Sequence, residues 1–444
     1  MGMRFLDTTF WPSAMAIAAT GDPSLAEREG RVVAEEARAV GVNQILAPVA
    51  DVNVDPDNPV INSRSFGEDP QDVARYVAAF IRGVESEHAI ATAKHFPGHG
   101  DTHVDSHISM PAVTVDRQRL ERVELVPFRA AIAADVKSVM IGHLSVPSID
   151  PSGLPATVSA KVIEGVLRDE LGFKGLVVSD AFDMGGLTEH FDAGEAAIRG
   201  IEAGEDQILL SADTDAAIAG VKAAVKSGRL TEARIDASVR RILAAKEFAP
   251  APVPDPQSVF RVLDSKEHRD LAEEIARRAL TLVREQSGVL PLPRASKISL
   301  IIVSDFPEAN PMQDLDRELR ARGDVVQTVT IDPRTAEDRL PPLSGEVAVI
   351  AFAVRARSGA GSISVPAAAR RLVEQASVPA IGIAFGSPYL LREVPKLGTY
   401  ICAYGIQPVM QVAATRALFG ETRFEGRLPV TIPGLYARGD GIKR

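Results

Sequence analysis

The sequence predicts an α/β protein with parallel sheets, and three observations carry that prediction. Along residues 12–248, short apolar runs rich in Val, Ile and Ala alternate with longer stretches of helical spacing, the pattern of repeated strand–helix units. A proline-rich stretch follows, and beyond it a second alternating set begins. The chain has 444 residues, 45% hydrophobic and 24% charged, enough to build more than one core.

The first set of strand candidates is 42–49, 89–94, 136–141, 175–179 and 206–210, with helices predicted over 25–40, 72–85, 116–134 and 159–171. Each strand run ends in polar, Gly-rich or Pro-rich residues, which in a parallel α/β fold lie beyond the carboxyl ends of the strands, where ligands bind. Residues 249–257 read APAPVPDPQ, a stiff extended connector. After it come a helix over 265–279 and strands over 280–284, 298–303, 325–331, 347–352, 380–384 and 399–404, with helices over 314–322 and 365–375. The predicted division is a catalytic unit over 1–248, a linker over 249–261 and an α/β sandwich over 262–444. The five strands of the first unit fit either a small open sheet or an eight-stranded barrel without its opening units.

Composition narrows the function. With 49 basic against 59 acidic residues the net charge is −10, the wrong balance for a nucleic-acid partner. Cys402 is the single cysteine, which excludes an internal disulfide and a multi-cysteine metal cage. No apolar run reaches the ~18 residues of a membrane span. The start lacks the pattern of an export signal, so a cytoplasmic address is the default, with the cell envelope open if residues precede Met1. The sequence does not speak to oligomeric state.

The densest chemistry follows the second strand, in Lys94-His95-Phe96-Pro97-Gly98-His99-Gly100, with Asp105-Ser106-His107 after four more residues. His95, His99, His103 and His107 recur every four residues, which on a helix would make a metal-binding stripe. Pro97, Gly98 and Gly100 argue against a helix there, so no metal is expected. A polar surface loop is the bland reading; the position at a strand end favours an acid–base loop instead. One residue separates Asp105 from His107, so in an extended segment both side chains face the same way. A carboxylate on one imidazole nitrogen fixes the tautomer and favours the protonated ring, leaving the other nitrogen to donate a proton.

Asp180, in Ser179-Asp180, is the first charged residue after an apolar run. It reads either as the nucleophile of a retaining glycosidase or as the cap of a helix starting near Gly186. Asp51, Arg64, Lys94 and His95 form a candidate polar pocket for gripping hydroxyls, and His143 reads either as pocket lining or as plain loop. Aromatics are 5% with a single Trp11, which favours a small sugar held by hydrogen bonds over a long stacked polysaccharide.

These residues resemble glycoside hydrolase family 3, in its β-N-acetylglucosaminidase type. The carriers are Ala47-Pro48-Val49-Ala50-Asp51-Val52, Arg64-Ser65-Phe66-Gly67, the joined loop motif from Lys94 to His107, Ser179-Asp180 with Met184, and Gly426-Arg427-Leu428-Pro429-Val430. The resemblance implies a (β/α)8-type barrel missing its first strands, followed by an α/β/α sandwich domain. It implies that Asp180 is the nucleophile of a glycosyl-enzyme intermediate and that His107, oriented by Asp105, is the acid–base. Asp51, Arg64, Lys94 and His95 would bind the sugar. The implied substrate is terminal β-linked N-acetylglucosamine in peptidoglycan fragments (muropeptides) or chitooligosaccharides, with no cofactor. The same site would also serve a glycoside phosphorylase, and a sugar-binding protein without turnover is a third reading.

Overall fold

The computed structural model describes residues 7–104, 109–285, 288–306, 311–337, 340–356 and 362–444. Its first sheet holds five parallel strands in chain order: β1 (Gln44–Ile45), β2 (Ile90–Phe96), β3 (Ser138–Ile141), β4 (Leu176–Ala181) and β5 (Gln207–Leu209). The sheet curls so far that Gln44 Nε2 of β1 donates to Gln207 Oε1 of β5 at 3.3 Å, bringing its two edges together. This is the barrel-type architecture expected. β1 is shorter than its apolar run because Pro48 has no N–H to give a ladder; the chain touches β2 again at the Val49–Lys94 bridge.

The second sheet holds six strands: β6 (Thr281–Glu285), β7 (Lys297–Ser304), β8 (Asp324–Ile331), β9 (Val347–Ala353), β10 (Ala380–Ala384) and β11 (Thr399–Cys402). Their order is β6-β11-β10-β9-β7-β8, with β6 antiparallel to β11 and the rest parallel. Covered on both faces, β9 reads VAVIAFA with every residue buried, whereas β8 at the edge alternates in burial. Cys402 on β11 is fully buried. Helices packed on this sheet complete an α/β sandwich.

Two helices form the wall between the two cores. Helix α1 (Ala14–Ala19) turns Ala14 and Ile17 toward the first core and Met15, Ala16 and Ala19 toward the second. Helix Lys266–Ala279 does the same with Leu271, Ala272 and Ile275 on one side and Ala276 and Ala279 on the other. At roughly 1.5–3 kcal/mol for each large aliphatic side chain buried, this shared wall ties the halves together. A polar knot reinforces it: Glu36, on helix α2 (Pro23–Ala39), accepts from Thr9 N and Oγ1, from Asp264 N and from the His268 ring. The proline-rich stretch lies along the first sheet, with Asn43 Nδ2 donating to Ala249 O at 2.7 Å. Among the described residues no helix is long and apolar enough to cross a membrane.

One local expectation is corrected. The helix expected over 116–134 is two, Arg117–Arg122 and Val126–Ala133, because Pro127 cannot continue a helix through its missing N–H and sits instead in a first turn. As Pro97, Gly98 and Gly100 led one to expect, no helix carries the first of the spaced histidines: His95 lies within a strand and His99 in the loop beyond it.

Candidate active site

The site assembles at the carboxyl ends of β1, β2, β3 and β4. β2 delivers Lys94 and His95 there, and the chain following β1 brings Asp51 beneath them. Asp51 is 0% exposed. Its Oδ2 lies 2.8 Å from His95 Nδ1, and its Oδ1 accepts from His95 N at 3.1 Å and His99 N at 2.7 Å. Burial pushes this carboxyl up, but the His95 ring beside it and the contact with His99 prevail and hold it below its ordinary range. The pairing makes His95 Nδ1 the donor and fixes the ring, so that Nε2 is the free end.

His99 is equally buried, with Nδ1 2.8 Å from Thr102 Oγ1. Burial drives its pKa down to about 4, against the pull of Asp51, so it stays neutral at neutral pH. The charges of His95 and Arg64 act in the same direction as burial. Arg64 sits in a single helical turn, Asn62–Arg64, where its Nη1 donates to Val60 O at 2.9 Å.

Asp180 stands near the end of β4, and its Oδ1 accepts from Ala181 N at 2.9 Å. Burial raises its pKa; the charges of His95 and His143, the Ala181 N–H and the Lys94 ammonium more than offset this, and the carboxyl sits below its usual value. The capping role is excluded, because the short helix Gly185–Thr188 has Met184 at its N-cap and draws nothing from Asp180. His143, left open between lining and loop, is fully buried. Its Nε2 is 2.8 Å from Ala181 O and therefore carries a proton, and its Nδ1 is 2.9 Å from Thr157 Oγ1. The strand-end position was its sequence signal; its bracing of the residue after Asp180 had none.

Lys94, His95, His143 and Asp180 thus share one electrostatic neighbourhood, and Asp51 lies directly behind His95. Asp51 was expected to bind sugar itself. In the structure both of its oxygens are engaged by His95 and His99, and none of its surface is exposed. Asp105 and His107 lie outside the described residues.

Fold and site together are those of a glycoside hydrolase built on a parallel α/β barrel. The chain belongs to glycosyl hydrolase family 3, whose N-terminal domain matches residues 1–245. It is 32% identical, over 96% of its own length and 80% of the relative's, to a β-N-acetylglucosaminidase/β-glucosidase of Cellulomonas fimi. Among solved structures it is similar to a family 3 β-N-acetylglucosaminidase from Paenibacillus, at 33% identity and a TM-score of 0.85 over 97% of this chain and 84% of that one. It is also similar to a β-glucoside phosphorylase, BglX, at 27% identity and a TM-score of 0.88 over 96% and 81% of the respective chains. The chain spans about half the length of two further curated relatives, β-hexosaminidases of Pseudoalteromonas piscicida and Stenotrophomonas maltophilia (53% and 55%).

Proposed function

We propose that the protein removes terminal β-linked N-acetylglucosamine from small oligosaccharides, peptidoglycan fragments or chitooligosaccharides, by retaining hydrolysis. Asp180 attacks the anomeric carbon as the aglycone leaves, forming a glycosyl-aspartate ester. His107, oriented by Asp105, gives a proton to the departing oxygen and then takes one from the water that cleaves the ester. Lys94, His95 Nε2 and Arg64 grip the sugar's hydroxyls, and Asp51 acts through His95. Catalysis belongs to residues 1–248, joined through 249–261 to the sandwich of 262–444.

One observation carries this reading. A nucleophilic carboxylate must be ionised where it works, and Asp180 stands near the carboxyl end of β4 in the same neighbourhood as Lys94, His95 and His143, whose charges favour its ionised form against the cost of burial. The relatives' names support the N-acetylglucosamine specificity. A second reading, transfer to phosphate in place of water, is supported by the likeness to the phosphorylase. An imidazole acid–base spares an incoming phosphate the repulsion of a carboxylate.

The test is turnover of an aryl N-acetylglucosaminide with and without phosphate, together with trapping by a fluorinated sugar. Free N-acetylglucosamine as main product and a label on Asp180 support the proposal. Sugar 1-phosphate as main product would transfer it to the second reading, and a label elsewhere would remove Asp180 from the nucleophile's role.

A further inference from the structure

The loop that leads toward His107 is held by its neighbour loop as well as by its own strand, where Gly98 N donates to His95 O at 2.8 Å. Asn58 Nδ2 donates to His99 O at 2.9 Å and reaches Thr102 Oγ1 at 3.3 Å, and Asp55 N donates to Gly100 O at 3.3 Å. His103 Nδ1 is 2.7 Å from Asp55 Oδ2. Residues 52–58 are therefore the bed on which residues 97–104 lie.

That bed is in turn held from the second sheet. After β10 the chain makes a helical turn, Pro388–Arg392, and Tyr389 Oη accepts from Asn53 Nδ2 at 3.0 Å. Tyr389 is 5% exposed and Asn53 fully buried, so no water competes for this bond. Asn53 Nδ2 also reaches Asp55 O at 3.3 Å, which passes the tie along the bed. Arg392 Nη1 adds a second, more exposed link to Asp57 Oδ1 at 2.8 Å.

We propose that Tyr389 is a positioning residue for the acid–base loop, so that the second sheet's domain sets how well the proton donor is placed while touching no reacting atom. The inference rests on the roles given above to Asp180 and His107. Its signature is a leaving-group dependence: a misplaced acid slows only those substrates that need protonation.

The experiment compares chitobiose, whose leaving group needs a proton, with a dinitrophenyl N-acetylglucosaminide, whose leaving group does not. With Tyr389→Phe, kcat/KM on chitobiose falls roughly three- to tenfold, as for one lost buried hydrogen bond, and on the aryl substrate changes by less than about twofold. Equal loss on both, or none on either, overturns the proposal. His107→Ala is measured alongside. If it shows the leaving-group dependence and Tyr389→Phe does not, the positioning role falls and the site reading stands; if His107→Ala lacks it, the site reading falls and takes the positioning role with it. Where Tyr389→Phe loses the near-ultraviolet dichroism of the folded chain, Arg392→Gln carries the same comparison, with the same pattern required.

Discussion

Asp51 Oδ2 and His95 Nδ1 lie 2.8 Å apart with both residues buried, so the imidazole that faces the candidate sugar site is aimed from behind by a carboxylate with no exposed surface. Replacing one member of such a pair leaves the other's polar group stranded. Asp51→Asn is expected to destabilise the fold by about 3 kcal/mol and to lower kcat/KM on every substrate alike, since His95 loses its orientation whatever the leaving group. Urea unfolding read with activity checks this; unchanged stability with intact activity would deny the pair its role. Because the folded Asp51 pKa is depressed, its contribution is full above the unfolded value, near ~3.9, and is lost as pH falls through the lower folded value.

His99 makes a separate contribution to the pH dependence. Its folded pKa is about 4, against an unfolded ~6.5, so between these values the unfolded chain binds the proton and the folded chain refuses it. Stability therefore falls as pH drops from about 6.5 to 4, by about 3 kcal/mol in total. Glu85 and Glu124, pushed up to about 7 by burial, act in the opposite sense above 4.5. The informative quantity is the difference between wild type and His99→Gln, whose unfolding midpoint should vary less over that window. Parallel curves for the two proteins would refute the assignment.

Gly100 has almost no room. A Cβ there would lie 1.7 Å from Val52 O, so the two loops touch backbone to backbone. Gly100→Ala is expected to cost about 1–3 kcal/mol and to reduce activity severely. Gly153→Ala is the control: its φ of +78° brings strain, but no atom stands within 4 Å, and activity should persist. Kinetics and melting of the two variants decide it, and equal activity in both would mean that the loop contact is dispensable.

Glu36→Gln unties the polar knot between Thr9, Asp264 and His268. A loss of about 3 kcal/mol is expected, with kinetics on chitobiose and aryl substrate unchanged in ratio, since the knot lies away from the site's residues. Differential scanning calorimetry should show the loss directly; an unaltered melting temperature would contradict it.

Much of the fold was legible because buried parallel strands have no polar face to disguise them. β9 and β2 stand out as apolar runs, and the polar residues at their ends mark where chemistry belongs. Lys94, His95 and Asp180 were singled out that way. What could not be read is what closes from far along the chain. Asn53 meets Tyr389 across 336 positions and Glu36 meets His268 across 232, and no local spacing encodes either. Asp51 is subtler: its strand-end position marked it for the site, but its complete burial behind His95 is a property of the folded chain that no local spacing encodes.

The lone thiol, Cys402, sits on β11 with nothing of it exposed and its pKa driven up by burial. A chromogenic disulfide reagent will therefore find no target until that part of the molecule breathes. Labelling rate then reports opening of the carboxyl-terminal half, while fading turnover reports the amino-terminal half. One unmutated protein so offers two independent clocks, whose agreement or divergence tells whether the halves come apart in concert.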